Sequence, residues 1–214
     1  MQIPHAVIFD FDGVVVATER SKFAWLKHVL KHKGHILRKD DFARMTGKKT
    51  AAFLKERFGD KLSPKEMHMI RAAWRRERLR NIKEYSRPIP GAIPFITQLR
   101  NRGVSLCLAT GTERVIVRKA LRLLGLNKAF QVLITGNECK LSKPNPQVYT
   151  LAIKALGMPA KGILVIEDSA AGVLAAKRAG LRCIAITTTQ SMRELGQADV
   201  IVSSFRELEK KLFK

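Results

Sequence analysis

From about Ile89 onward, short apolar and β-branched runs alternate with stretches whose apolar positions recur at helical spacing. The runs cover 104–109, 132–135, 163–166, 183–187 and 200–202, and Ala6 to Phe9 supplies one more near the N-terminus. Their shortness and near-continuous apolarity predict strands buried on both faces. The helical stretches between them cover 92–102, 113–124, 146–156, 169–179 and 205–213. Gly103, Gly125, Gly157 and Gly180 follow four of these directly or within a residue, where helices are commonly stopped. Strand and helix in alternation predict a parallel sheet with helices on both sides.

The rhythm fails between about Glu19 and Tyr85. Only helical periodicity remains there, carried by Phe23, Leu26, Val29 and Leu30 and then by Phe53, Leu54 and Phe58. A long polar helix is expected over 63–84, with Ser63-Pro64-Lys65-Glu66 as its capping box. Arg87-Pro88-Ile89-Pro90-Gly91 closes the block. The expected organisation is a core made of 1–16 and 87–214, with a helical cap of 17–86 inserted after the first strand.

Composition changes this picture in one respect. The chain of 214 residues is 46% hydrophobic, enough for a packed interior, and has no apolar run of membrane-spanning length. Its first apolar run is cut at once by Asp10, unlike a signal peptide. Cys107, Cys139 and Cys183 form neither a CxxC pair nor an even-numbered framework, and read as reduced thiols of a cytoplasmic protein. The charge is unusual: 40 Lys and Arg stand against 18 Asp and Glu, a formal +22. Between Arg20 and Arg87 there are 21 basic and 7 acidic residues, so the excess is concentrated in the helical block. Such a surface draws polyanions in general, and phosphorylated metabolites into a neighbouring site.

Candidate chemistry lies where predicted strands end. Asp10 and Asp12 stand two apart at the end of the first strand, before Gly13, a costly placement beside a buried sheet unless it has a use. Thr110-Gly111-Thr112 follows the next strand and offers a hydroxyl and free N–H groups at a helix start; Thr112 could equally be an N-cap. Lys143 precedes a helix and could balance phosphoryl charge, or be a solvated turn lysine. Glu167-Asp168-Ser169 ends a later strand and could hold magnesium through oxygen ligands, or cap the next helix.

In this order, Asp10-x-Asp12-Gly13, Thr110, Lys143 and Glu167-Asp168 resemble the four signature motifs of the haloacid dehalogenase-like superfamily. Glu167-Asp168-Ser169-Ala170-Ala171-Gly172 is similar to its phosphatase and β-phosphoglucomutase branch. The resemblance spans the chain and implies an α/β fold: a Rossmann-like parallel-sheet core and a small all-helical cap. It implies Asp10 as nucleophile and Asp12 as general acid and then base, with a pKa well above the ordinary carboxyl value. Thr110, Gly111 and Lys143 would bind phosphate. Mg²⁺ would sit among the Asp10 side chain, the Asp12 backbone carbonyl and Asp168, with Glu167 in support. Lys48 and Lys49, in a loop of the helical block, are candidate electrostatic contacts to substrate, or solvated lysines with no partner.

The reaction implied is magnesium-dependent hydrolysis of a small phosphorylated metabolite through an aspartyl-phosphate. Asp12 argues against dehalogenase and phosphonate-cleaving chemistry, whose members lack an acid there. Lys22 stands where the related sugar-phosphate mutases carry His, which favours phosphatase over mutase. Ala17 departs from an Asp found in many relatives. A third reading is a nucleic-acid-binding or scaffold protein on an inactive version of the fold. It rests on Arg71, Arg75 and Arg78 sharing one helix face, but every signature residue is intact. Gly47-Lys48-Lys49-Thr50 lacks the spacing of a phosphate-binding P-loop. Nucleic acid is therefore expected only as a non-specific partner of the basic cap, with no membrane partner. The protein is expected to be a monomer or small homo-oligomer.

Overall fold

The computed structural model of the protein describes residues 3–46 and 50–213. Six strands, Ala6–Phe9 (β1), Ser105–Ala109 (β2), Val132–Ile134 (β3), Ile163–Glu167 (β4), Arg182–Ile186 (β5) and Val200–Val202 (β6), form one sheet ordered β3-β2-β1-β4-β5-β6. All five pairings are parallel. Strand β1 is central: Phe9 lies opposite Leu108 on one side and Ile166 on the other.

The near-continuous apolarity of these strands has a direct structural counterpart. Val7 and Phe9 enter one buried cluster together with Leu106, Leu108, Leu164 and Ile166. Their alternates Ala6, Ile8, Cys107, Ala109, Ile163 and Val165 enter a second cluster. Side chains alternate across a strand, so a sheet covered on both faces needs apolar residues at every position. Helices Ala92–Asn101 (α6), Arg114–Leu123 (α7) and Phe205–Phe213 (α10) bury their apolar stripes in the first cluster. Gln147–Leu156 (α8) and Ala170–Arg178 (α9) bury theirs in the second.

Between β1 and α6 the described residues form five α-helices: Glu19–Lys31 (α1), Asp41–Met45 (α2), Thr50–Phe58 (α3), Pro64–Arg80 (α4) and Ile82–Tyr85 (α5). No strand occurs among the described residues of this stretch. Trp25, Leu26, Phe53, Leu54, Ile70 and Trp74 from these helices belong to the same cluster as Val7 and Phe9. The chain leaves and returns side by side: the Ala17 N–H donates to the Arg87 carbonyl and the Ile89 N–H to the Val15 carbonyl. Ala17 itself is exposed, and its backbone holds this junction.

One expectation is corrected here. The helix expected over 63–84 is two helices, because Asn81 adopts φ −98° and ψ 31°. Its side-chain amide donates to the Glu77 carbonyl, a local bond that competes with helix continuation. The break turns Tyr85 inward, where it is fully buried. At the other end the expected capping box is present, with Ser63 and Glu66 each bonding the other's backbone N–H. Among the described residues no helix is long and apolar enough to cross a membrane.

Candidate active site

In a sheet of this order the chain turns opposite ways from β1 and β4, and the crevice opens at their carboxyl ends. Asp10 follows β1 directly, and its N–H still bonds the Ile166 carbonyl. Its carboxylate accepts a hydrogen bond of 2.6 Å from Lys143 Nζ. The same ammonium donates to Glu167 Oε1 and lies 5.0 Å from the centre of the Tyr149 ring. Glu167 is completely buried, and every partner it has is a donor. Tyr149 donates to Oε1 at 2.6 Å, and the Asp168 N–H and Ser169 Oγ donate to Oε2. Gly172 is required here, because a Cβ would run into the Glu167 carboxylate. Gly13 is constrained in the same way: its φ is +82° and a Cβ would strike Asp168.

Lys143 is thus shared by two buried carboxylates, and its pKa is raised against the pull of burial by Asp10 and then Glu167. Burial alone would raise the Glu167 carboxyl, but Lys143 and the Tyr149 hydroxyl hold it below the usual range. Asp10 is pushed up to about 7 by burial, with Lys143 opposing and Glu167 and Asp12 adding to the rise. Burial and the Glu167 and Asp10 charges drive Asp168 well above its ordinary value. Asp10, Glu167 and Asp168 can each turn an oxygen to within 4.8 Å of the others. Three carboxylates stand against one ammonium, which pairs with Asp10 and Glu167, so the charge balance and the hard oxygen donors fit a divalent cation.

This imbalance sets a pH dependence. Between about pH 4 and pH 7 the folded protein keeps a proton on Asp10 that the unfolded chain has released. Without metal, stability therefore falls as pH rises through that window. Glu167, whose folded pKa is lowered, acts oppositely and only in more acidic solution, losing its contribution as pH falls. A cation bound to the ionised carboxylates removes the Asp10 penalty. We expect thermal melts with magnesium and with EDTA to differ more at about pH 8 than at about pH 5. An equal gap at both pH values would contradict the charge balance described here.

Asp12 behaves differently from expectation. Its Oδ1 accepts from Tyr85 OH at 2.6 Å and Thr18 Oγ1 at 2.7 Å, and lies 3.0 Å from Lys22 Nζ. Its Oδ2 accepts from Thr112 Oγ1. Burial pushes this carboxyl up, but Lys22 and the three hydroxyls more than offset it and hold the group well below the usual range. The expected raised pKa is absent in this arrangement: four donors face one carboxylate. Thr18, Lys22 and Tyr85 come from the helical insert and its entrance, and only Thr112 comes from the sheet layer.

Thr110 is buried, and its Oγ1 accepts the Thr112 N–H at 3.1 Å, while neighbouring Gly111 is exposed at the mouth of the loop. Thr112 is not the cap of α7; Glu113 holds that position without a side-chain cap bond. Lys48 and Lys49 lie outside the described residues. The structure thus brings together Asp10, Asp12, Lys143, Glu167 and Asp168, with Thr110 and Gly111 on the next loop.

Sequence reasoning missed the two tyrosines. The chain has ten Phe and only two Tyr, and both Tyr are fully buried with their hydroxyls on site carboxylates. A tyrosine retained where phenylalanine would pack as well marks a position that uses its hydroxyl. That imbalance was the available signal. Thr188, whose hydroxyl donates to the Gly13 carbonyl, had none.

Comparison with known proteins agrees with this geometry. Residues 7–186 match the family model described as haloacid dehalogenase-like hydrolase. A relative from Thermotoga maritima named phosphorylated carbohydrates phosphatase is 31% identical over 182 residues, covering 84% of this chain and 83% of that protein. The crystal structure of CbbY from Rhodobacter sphaeroides with xylulose-(1,5)bisphosphate superposes with a TM-score of 0.86 at 25% identity, covering 96% of each chain. A β-phosphoglucomutase from Clostridium difficile has the same fold, with a TM-score of 0.85 at 20% identity over 99% of this chain and 96% of that one. With a match over most of its length and these carboxylates where its strands end, the chain belongs to the haloacid dehalogenase-like hydrolases, in their phosphatase branch.

Proposed function

We propose that the protein is a magnesium-dependent phosphatase acting on a small phosphomonoester, with Asp10 as the nucleophile that carries the phosphoryl group. The observation that carries this reading is the Lys143 ammonium, shared between Asp10 and Glu167 beside Asp168. A carboxylate can approach a phosphate dianion only where positive charge is fixed beside it, and Lys143 supplies one such charge. Magnesium, held by Asp10, Asp168 and the Asp12 backbone carbonyl with Glu167 in support, would supply the rest of the charge neutralisation. Thr110 and the Gly111 backbone would receive phosphate oxygens. Asp12 would protonate the leaving oxygen and then take a proton from the water that releases phosphate.

The donors on Asp12 set a condition on that role. A carboxylate that accepts from Thr18, Tyr85 and Thr112 and pairs with Lys22 is a poor acid. It becomes an acid once the insert's donors turn from it towards substrate. We therefore take residues 17–86 to act as a cap whose position decides when Asp12 can give up a proton. The names of the relatives, one for phosphorylated carbohydrates and one crystallised with a sugar bisphosphate, support a small phosphorylated substrate.

The test is hydrolysis of p-nitrophenyl phosphate with magnesium and with EDTA, using wild type and Asp12→Asn. Nitrophenolate leaves without an acid, whereas water attack on the phosphorylated Asp10 still needs a base. Asp12→Asn should therefore release a burst of about one nitrophenolate per protein and then turn over about 10³-fold more slowly than wild type. A linear wild-type rate in the variant would remove Asp12 from the mechanism.

A further inference from the structure

The helical insert carries a buried cation that the proposed chemistry does not use. Arg78, on the inward side of α4, is 5% exposed. A guanidinium has five donors, and burying one is expensive unless they are paired. Here Nη2 reaches Glu113 Oε1 at 3.4 Å. The other oxygen of Glu113 is held by Arg75 Nε at 2.6 Å. Arg78 Nε is buried and, among the described residues, has no acceptor; nor has the buried indole N–H of Trp74. The guanidinium stacks on that indole ring, 4.1 Å from its centre.

Its location gives these buried donors a meaning. Arg78 lies 5.9 Å from the ring centre of Tyr85, whose hydroxyl bonds Asp12. Its partner Glu113 follows Thr112, whose hydroxyl bonds the other oxygen of Asp12. Arg78 therefore stands behind the residues that hold Asp12, on the side of the insert, where we place the remainder of a substrate whose bridging oxygen faces Asp12. Lys22, the half-buried cation there, is already committed to Asp12 and Glu19.

We propose that Arg78, with the Trp74 N–H beside it, receives a second anionic group of the substrate, a carboxylate or a second phosphate on the leaving-group side. This rests on the phosphatase reading and deepens it. Glu113 holds the place of that anion in the present arrangement. Its 3.4 Å contact is the longest of the described ion pairs joining the insert to the sheet layer, so it is the one an incoming anion displaces most easily. Arg78 is then the residue that sets specificity for substrates charged at both ends.

The experiment compares kcat/KM for glycerol 3-phosphate and 3-phosphoglycerate, which share a three-carbon chain and differ in a terminal carboxylate. Wild type should favour the carboxylate, and Arg78→Gln should lower that preference roughly 30-fold, the size expected for a charge-assisted hydrogen bond. Arg78→Lys should restore part of it. Melting curves identify a variant that has merely lost its fold. A preference unchanged in folded Arg78→Gln, or a wild type indifferent to the carboxylate, overturns the proposal. A second readout needs no turnover. Trp25→Phe leaves Trp74 as the sole tryptophan, and its fluorescence should respond saturably to 3-phosphoglycerate but not to glycerol 3-phosphate. The response should vanish when Arg78→Gln is added. That response without phosphate release from either compound would sink the phosphatase reading and leave the anion site standing. Release without the response would do the reverse.

Discussion

Asp10→Asn should abolish turnover, lowering kcat by at least about 10⁴-fold, while leaving a folded protein. Two properties of the site lead to this expectation. The amide cannot attack phosphorus as a carboxylate does, and it replaces one of the three carboxylates gathered for a cation by a neutral, weaker oxygen donor. The fold should tolerate it, because the Asp10 N–H bond to Ile166 is backbone and survives the change. Lys143 would keep its partner Glu167. Rapid-quench measurement of protein-bound phosphate should show none in the variant, and melting curves should show its fold intact. Wild-type turnover in a folded Asp10→Asn protein would overturn the nucleophile assignment.

The second large effect is expected at Lys143. Lys143→Met leaves Asp10 and Glu167 buried side by side with no counter-charge. Removing one partner of a buried pair typically costs about 3–5 kcal/mol of stability, because the remaining charge is stranded. The loss should depend on pH in a defined direction. Asp10 already holds its proton up to about 7, and without Lys143 it would hold it higher still. In acid the variant is rescued by protonation, so its melting temperature should approach wild type at about pH 5 and fall away as pH rises. Activity should drop as well, by about 10²–10³-fold, as for loss of a preorganised positive group at a phosphoryl centre. A melting temperature that is unaffected across this range would mean that Lys143 is not the counter-charge.

The sequence was informative where burial leaves few choices. Each strand of the sheet is apolar at nearly every position because both faces are covered, and that pattern is unlike a helix or a half-exposed strand. Their ends differ from expectation by at most a residue or so, since caps and ladder bonds settle such details locally. Val104 illustrates this: its N–H returns to the Leu99 carbonyl at the end of α6 and so stays outside β2. Asp10, Glu167 and Asp168 could be named in advance because each stands at the end of a strand in one parallel sheet, and parallel strands end on a common edge; Lys143, in the loop between β3 and α8, was named from its place before a helix.

What could not be read is the company these residues keep. Lys22 pairs with Asp12 across ten residues and Tyr85 bonds it across 73, a juxtaposition made by tertiary packing with no local pattern to announce it. The expectation of a raised Asp12 pKa failed for that reason. It was inferred from what the reaction requires, whereas the pKa in this arrangement is set by neighbours that folding supplies. The break at Asn81 is similar: a side-chain amide bonding one carbonyl decides it, and helical periodicity averages over single residues.

The two edges of the sheet are strands of three residues, β3 and β6. An edge strand presents unpaired backbone groups on which another chain can build, and the hazard grows with its length. These edges offer almost nothing to build on. The charge of +22 adds mutual repulsion between copies. Resistance to edge-to-edge aggregation is thus built into the protein twice, once in the brevity of its outermost strands and once in its charge.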